Sequence, residues 1–172
     1  MAIKLIGALV VIFACGKIGF DFASILSKRV AEIRGAITVL TALESEITFQ
    51  NVPLGDALMH AGDATSAAIG LTFKKAGRAL KMKKGSTAAE VWSETVDAQC
   101  INALNKGDIM ILKSLGALLG KSDIDNQIGN IALAKEKLRT AERDALDAEK
   151  KYGKLYKSTG LLVGALIAIL FL

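Results

Sequence analysis

Apolar positions along the chain fall into three regimes: continuous at both ends, spaced three and four apart next to the ends, and broken into short stretches in the middle. Residues 1–20, "MAIKLIGALVVIFACGKIGF", are apolar except for Lys4 and Lys17. As a helix they extend about 30 Å, one hydrocarbon thickness, with each lysine near enough to an end to snorkel toward water. Asp21 follows Lys17 by one helical turn and is expected to pair with it. At the other end, residues 158–172, "STGLLVGALIAILFL", carry no side-chain charge. Their length of roughly 22 Å makes a full crossing only if Leu155 and Tyr156 join or the bilayer thins. Lys150, Lys151, Tyr152, Lys154, Tyr156 and Lys157 precede them, a mixture of aromatic and basic interfacial anchors. Gly160, Gly164 and Ala168 recur every fourth residue, a small-residue face on which another membrane helix can pack closely.

Next to the first apolar run, Val30, Ile33, Ile37, Leu40 and Ile47 mark one stripe of a helix, with Leu43 and Glu44 near the missing step. A matching, alanine-rich stripe runs Ile131, Ala134, Leu138, Ala141, Ala145, Ala148, Tyr152, Leu155, so a partner helix can approach closely. Two helices leading to one membrane are expected to pair antiparallel as a coiled-coil stalk. Between them, Asn51-Val52-Pro53 breaks the chain and residues 54–60 suit a short helix. A second helix is expected over residues 64–82, stopping near Gly85. Thr87-Ala88-Ala89-Glu90 is a capping box that opens a third, carrying Val91, Trp92, Val96 and Cys100. Asn105-Lys106-Gly107-Asp108 separates it from a helix over residues 109–119. The expected fold is therefore all-α. It is a membrane-anchored bundle of about six cytoplasmic helices, with a transmembrane helix over 1–26, a cytoplasmic domain over 27–157 and a membrane-inserted helix over 158–172.

Composition agrees with helices: Ala, Leu, Lys and Glu dominate the middle, Pro occurs once, and aromatics make up 5%. Little of the chain alternates apolar and polar residues as strands require; residues 37–41 come nearest. Positive charge flanks both apolar ends on the side facing the middle, which places residues 27–157 in the cytoplasm. Two distant cysteines, Cys15 and Cys100, suit a reducing compartment. A different reading takes Ile12-Phe13-Ala14-Cys15 as a lipobox and the chain as an exported lipoprotein or surface tether anchored through Cys15. Against it, Phe13 is bulky where a small or β-branched residue is usual. Positive charge (Lys17, Lys28, Arg29, Arg34) is also heavier after the apolar run than before it. The net charge of +5 includes a basic cluster of Lys74, Lys75, Arg78, Lys81, Lys83 and Lys84, a face open to anionic lipid or a protein partner. Without aromatic interleaving beyond Phe73 it does not read as a nucleic-acid surface.

The one stretch that suggests catalysis is "GALLGKSD", residues 116–123. A phosphate loop needs four residues between its first Gly and Gly-Lys-Ser, on a strand-to-helix turn. Gly116 is followed by three, Leu115 stands where that Gly belongs, and the preceding residues read as helix. The letters suit a helix corner instead. Gly120 ends one helix, Lys121 is a loop charge, Ser122 is an N-cap, and Asp123 with Asp125 faces the positive end of the next helix. His60 is the only histidine and has no neighbouring cysteine, no cluster has metal-ligand spacing, and Asp144 and Asp147 lie among lysines and arginines. No catalytic, cofactor or metal site is expected.

Laid out in order, "KLIGALVVIFACGKIGF", "LTALESEITF" with "PLGDAL", "AAEVW", "LGALLGKSDIDNQIGNIALAKEKL" and "YGKLYKSTGLLVGALIAIL" resemble the stage III sporulation protein AB family of endospore-forming bacteria. The resemblance covers essentially the whole chain; Thr159 stands where a larger apolar residue is expected. It implies a protein of the mother-cell membrane, in the channel-like assembly that joins mother cell and forespore. It further implies a cytoplasmic domain similar to the platform proteins (the F family) of type II secretion and type IV pili, an analogy of fold. By that analogy the partners are the cytosolic sporulation ATPase (protein AA), other membrane proteins of the same operon, membrane lipid and, as a homo-oligomer, further copies of the chain. The basic cluster and the Gly120, Lys121, Ser122, Asp123 corner are the two places where the ATPase could dock.

If the alanine-rich stripe is a close helix seam, Ala145→Asp places a charge in it. Thermal unfolding followed by circular dichroism is expected to show a lower midpoint than wild type; an unchanged midpoint and helicity would remove the seam.

Overall fold

The computed structural model describes residues 2–50, 52–83, 85–99, 101–117, 119 and 124–171. Six α-helices account for most of them: α1 (Ala2–Ser45), α2 (Leu54–Gly62), α3 (Ala68–Met82), α4 (Ala88–Gln99), α5 (Lys106–Gly116) and α6 (Ile124–Phe171). A π-helical turn, Glu46–Gln50, ends α1 before Pro53, and no strand occurs among the described residues. Residues 37–41 lie within α1, where Thr38 and Thr41 donate to the carbonyls of Arg34 and Ile37 one turn back. At 44 and 48 residues, α1 and α6 are about 66 and 72 Å long. The long helices pack against each other, and contacts divide the chain into two compact units: residues 1–30 with 144–172, and residues 31–143.

In the 31–143 unit both long helices contribute to the core, together with all four short helices. On α1, Ile33, Ala36, Val39, Leu40 and Leu43 are buried, a wider face than one stripe, and Ile37 sits at its edge. Leu43, beside the expected gap in the periodicity, is fully buried. Ile131, Ala134 and Leu138 of α6 are buried too. Arg34 pairs with Glu142 at 2.6 Å and Lys135 with Glu44, so numbering rises on one helix as it falls on the other. That is the antiparallel arrangement expected from the two stripes.

Three of the short helices, α3, α4 and α5, start where a side chain accepts from their first-turn N–H groups. For α4 the acceptor is local: Thr87 Oγ1 accepts from Glu90 N at 3.3 Å, and Glu90 accepts from Thr87 N at 3.0 Å. Helix α5 begins at Lys106, three residues before the expected 109. Asn105 and Asp108 form a reciprocal capping box of 2.8 and 3.0 Å, so the apparent separator is a helix start. Helix α3 begins at Ala68 and not at 64, because its cap is remote. Glu32 of α1 accepts from Ala68 N at 2.9 Å and from Ile69 N at 2.8 Å. A carboxylate at a helix N-terminus satisfies two orphan donors and meets the positive end of the helix dipole. Gly35, one turn along α1, lets Ala67, Ile69 and Thr65 approach; a Cβ there would lie 2.6 Å from that of Ala67.

Trp92 on α4 locks the second half of this unit. Its indole is buried, crosses the Phe73 ring edge-on at 4.6 Å, and donates from Nε1 to the Leu112 carbonyl of α5 at 2.7 Å. The ring rests on Gly116: a Cβ there would lie 1.8 Å from Trp92 Cδ1. The first glycine of "GALLGKSD" is thus a seat for an aromatic ring. Helix α5 ends there, Ala117 stays right-handed helical, and Leu119 is buried in the core.

Gly116→Ala is expected to destabilise the chain by about 1–3 kcal/mol, because the indole must shift and overpacking costs that much in a filled core. Gly129, within α6, has nothing within 4 Å of its added Cβ. Gly129→Ala is therefore expected to raise stability by about 0.5–1 kcal/mol through helix propensity alone. Denaturant titrations of the two variants in one detergent read this opposite sign.

Candidate functional site

The six basic residues singled out in the sequence belong to α3 and the residues after it. Lys84 lies outside the described residues. The other five do not form an open positive face. Lys74 pairs with Asp63, Lys81 with Asp56 at 2.7 Å, and Lys83 with Glu94, while Lys75 donates to Gln99 at 2.9 Å. Arg78 makes no hydrogen bond or ion pair among the described residues and is exposed. It shares the outer face of α3 with Leu71 and Met82, at steps of seven and four residues; Met82 is 82% exposed.

A repeat of seven residues explains the neutralisation. Gly55 and Gly62 of α2 face Gly77 and Gly70 of antiparallel α3: a Cβ on Gly77 would lie 2.4 Å from the Gly55 carbonyl oxygen, and one on Gly70 would lie 2.7 Å from that of Gly62. The glycine notches also receive the lysine stems, since Lys81 Cγ lies 2.9 Å from a Cβ built on Gly55 and Lys74 Cγ 2.7 Å from one on Gly62. Asp56 and Asp63 directly follow the two α2 glycines and meet the ammonium groups. Two Gly-Asp steps on α2 and two Gly-x-x-x-Lys steps on α3 thus form one clasp. Glycines seven apart in two successive helices are a visible sequence signal, missed because the lysines read as solvated charges.

The helix-corner residues Gly120, Lys121, Ser122 and Asp123 lie outside the described residues. In the unit of residues 1–30 and 144–172, Gly160 and Gly164 face α1. A Cβ on Gly160 would lie 2.8 Å from the Cys15 carbonyl oxygen, and one on Gly164 would lie 3.0 Å from Ile12 Cα. Gly19 faces them from α1, its added Cβ 2.5 Å from the Tyr156 backbone carbonyl oxygen. Ala168 is buried. Ala145 is buried in this unit, while Tyr152 and Leu155, the last two positions of the alanine-rich stripe, are exposed. The expected Lys17–Asp21 ion pair does not form; the Asp21 backbone carbonyl accepts from Ser24 instead. Phe22 and Tyr156 rings lie 5.8 Å apart across the two helices.

No group of three or more His, Cys, Asp or Glu is placed to hold a metal among the described residues. His60 approaches Glu46 at 3.3 Å on the surface, and Cys15 is half-buried in α1.

The relative weight of clasp and charge is open to measurement. Gly77→Val drives side-chain carbon into the α2 backbone and is expected to cost more than about 2 kcal/mol. Lys74→Ala removes a pair whose Asp63 side chain is 67% exposed, and is expected to cost at most about 1 kcal/mol. Thermal melts of both variants test that order.

The family described as stage III sporulation protein AB matches residues 4–172. A relative of that name from Bacillus subtilis (strain 168) is 31% identical over 172 residues, covering 99% of each chain. A solved structure of stage III sporulation protein AB superposes with a TM-score of 0.65 at 25% identity, covering 72% of this chain and 98% of the solved one. Family match, full-length relative and fold agree: this chain belongs to the stage III sporulation protein AB family.

Proposed function

We propose that the chain is a non-enzymatic membrane platform of the sporulation channel complex between mother cell and forespore, and that its helical unit docks a cytosolic ATPase. The observation that carries this reading is a contrast within one chain. Residues 31–143 bury a packed core, whereas large apolar side chains of residues 7–25 and 161–170 lie bare; Phe13 is 76% and Leu170 75% exposed. Both α1 and α6 are long and apolar enough to cross a membrane. Bare leucines and phenylalanines at this density disfavour water at about 25 cal/mol per Å2, and hydrocarbon removes that cost. Basic residues on the inner side of each apolar stretch support a cytoplasmic side for the 31–143 unit, and the family supports the mother-cell membrane.

The ATPase-docking surface is assigned to the outer face of α3. Its neighbours Lys74, Lys81 and Lys83 are held by carboxylates, which leaves Arg78 flanked by exposed Leu71 and Met82. An arginine among apolar side chains is a composition typical of protein interfaces. The lipoprotein reading is at odds with the helix pair. Cleavage before Cys15 would remove Ile12, against which Gly164 packs.

The purified chain is expected to hydrolyse no nucleotide and to bind the sporulation ATPase of its own operon. Arg78→Glu with Met82→Ser is expected to weaken that binding about tenfold or more, with the melting temperature unchanged. No binding by the wild-type chain in a sensitive assay removes the docking role. Intact-mass analysis of the chain from cells is expected to give the uncleaved mass; a lipidated chain beginning at Cys15 would establish the tether instead.

A further inference from the structure

A cleft of about 540 Å3 runs along the helix pair of residues 1–30 and 144–172, where the charged part of α6 gives way to its apolar end. Lys150, Lys154 and Lys157 line one wall, at steps of four and three residues on one face of α6. Phe20, Ser24 and Ser27 of α1 line the other. We propose that this cleft binds the phosphate of an anionic phospholipid headgroup. The inference rests on the membrane reading above and adds to it a specific lipid class and site.

Three observations converge on that ligand. The first is unneutralised charge. In the 31–143 unit Lys74, Lys81, Lys83, Lys113 and Lys135 each meet a carboxylate. None of the three cleft lysines does among the described residues, and the one acidic group in the lining, Glu149, leaves a formal excess of two positive charges. Side chains that could have been paired, as those five are, instead surround a hollow.

The second is the shape and polarity of the hollow. Its volume falls within the ~300–1,000 Å3 of small-molecule sites. Ala23 and Gly153 also line it and add little side-chain bulk. The Ser24 and Ser27 hydroxyls already donate to the carbonyls of Asp21 at 2.8 Å and Ser24 at 3.1 Å. Their oxygens are left as acceptors while the lysines supply the donors. Donors for phosphate beside acceptors for hydroxyls match a phosphoglycerol headgroup.

The third is position. Lys157 directly precedes the chargeless stretch that begins at Ser158, and its ammonium lies over the Phe20 ring at 5.3 Å. One turn further along α6 the exposed Leu161 and Leu162 begin. A phosphate in the cleft therefore has apolar surface beside it for its acyl chains, which a free anion does not need. Basic clefts between membrane helices at the cytoplasmic side bind anionic lipid by this combination of charge and depth.

The test uses the full chain. Flotation with neutral phosphatidylcholine vesicles first reads insertion. The detergent-purified chain is then examined by native mass spectrometry for retained lipid, after exposure to phosphatidylglycerol, phosphatidylcholine or glycerol 3-phosphate. Wild type is expected to float and to retain phosphatidylglycerol about tenfold over phosphatidylcholine, with glycerol 3-phosphate not retained. Lys150→Gln/Lys154→Gln/Lys157→Gln is expected to float equally and lose that preference, while Lys151→Gln, outside the lining, keeps it. Floating without lipid preference in wild type, or an undiminished preference in the triple variant, overturns the cleft proposal alone. Retention of glycerol 3-phosphate as well as phosphatidylglycerol overturns it in favour of a soluble-anion site. Failure to float overturns the membrane reading and the lipid site with it.

Discussion

The close antiparallel contact between α1 and α6 is the constraint on which the rest of the protein depends. Two helices of this length bury little if large side chains hold them apart, and the chain meets the difficulty differently in its two units. In residues 1–30 and 144–172 the contact is backbone to backbone, through Gly19, Gly160 and Gly164, with Cys15 and Ile12 opposite. Large apolar residues there are turned outward and stay bare. In residues 31–143 the same two helices instead bury large side chains, Ile33, Leu40, Leu43, Ile131 and Leu138, and are joined by the Arg34–Glu142 and Glu44–Lys135 pairs. Small residues suit a medium with no hydrophobic drive between helices, and leucines suit water.

Charge is distributed by the same logic. The cluster on α3 and the residues after it is dense in lysine and arginine, yet the ammonium groups of Lys74, Lys81 and Lys83 are already held by the carboxylates of Asp63, Asp56 and Glu94. Lys150, Lys154 and Lys157, which meet no carboxylate among the described residues, gather instead around one cleft where α6 turns apolar. Net charge and local density therefore point to one place, and unsatisfied charge points to another. Only the second can recruit a ligand without first breaking an existing pair.

The stretch that resembles a phosphate loop has an ordinary physical role in the part that is described. Gly116 is small because Trp92 lies on it, and Trp92 is held there by the Leu112 carbonyl and the edge of Phe73. Trp92 of "AAEVW" and Gly116 of "LGALLGKSD" are thus two sides of one contact. A glycine to which the rejected motif gave no role is required by a ring contributed from another helix.

By itself the sequence determined the all-α class, the two apolar ends, the antiparallel pairing of the long helices and the Thr87–Glu90 cap. The class, the ends and the cap follow from local periodicity, hydropathy or capping chemistry within a few residues, and the pairing from two apolar stripes that each lead to an apolar end. Tertiary structure alone decided where α3 begins, because its cap is Glu32, thirty-six residues upstream of Ala68. It alone decided that Lys74 and Lys81 are clasps and Lys150, Lys154 and Lys157 are not, since a lysine looks the same in sequence whether or not a carboxylate faces it. The capping box at Asn105 was legible and was read as a break, because Gly107 between its two members weakens the helical signal. What periodicity records is which side of a helix is apolar; which helix that side meets, and through which notch, depends on contacts between residues far apart in the chain.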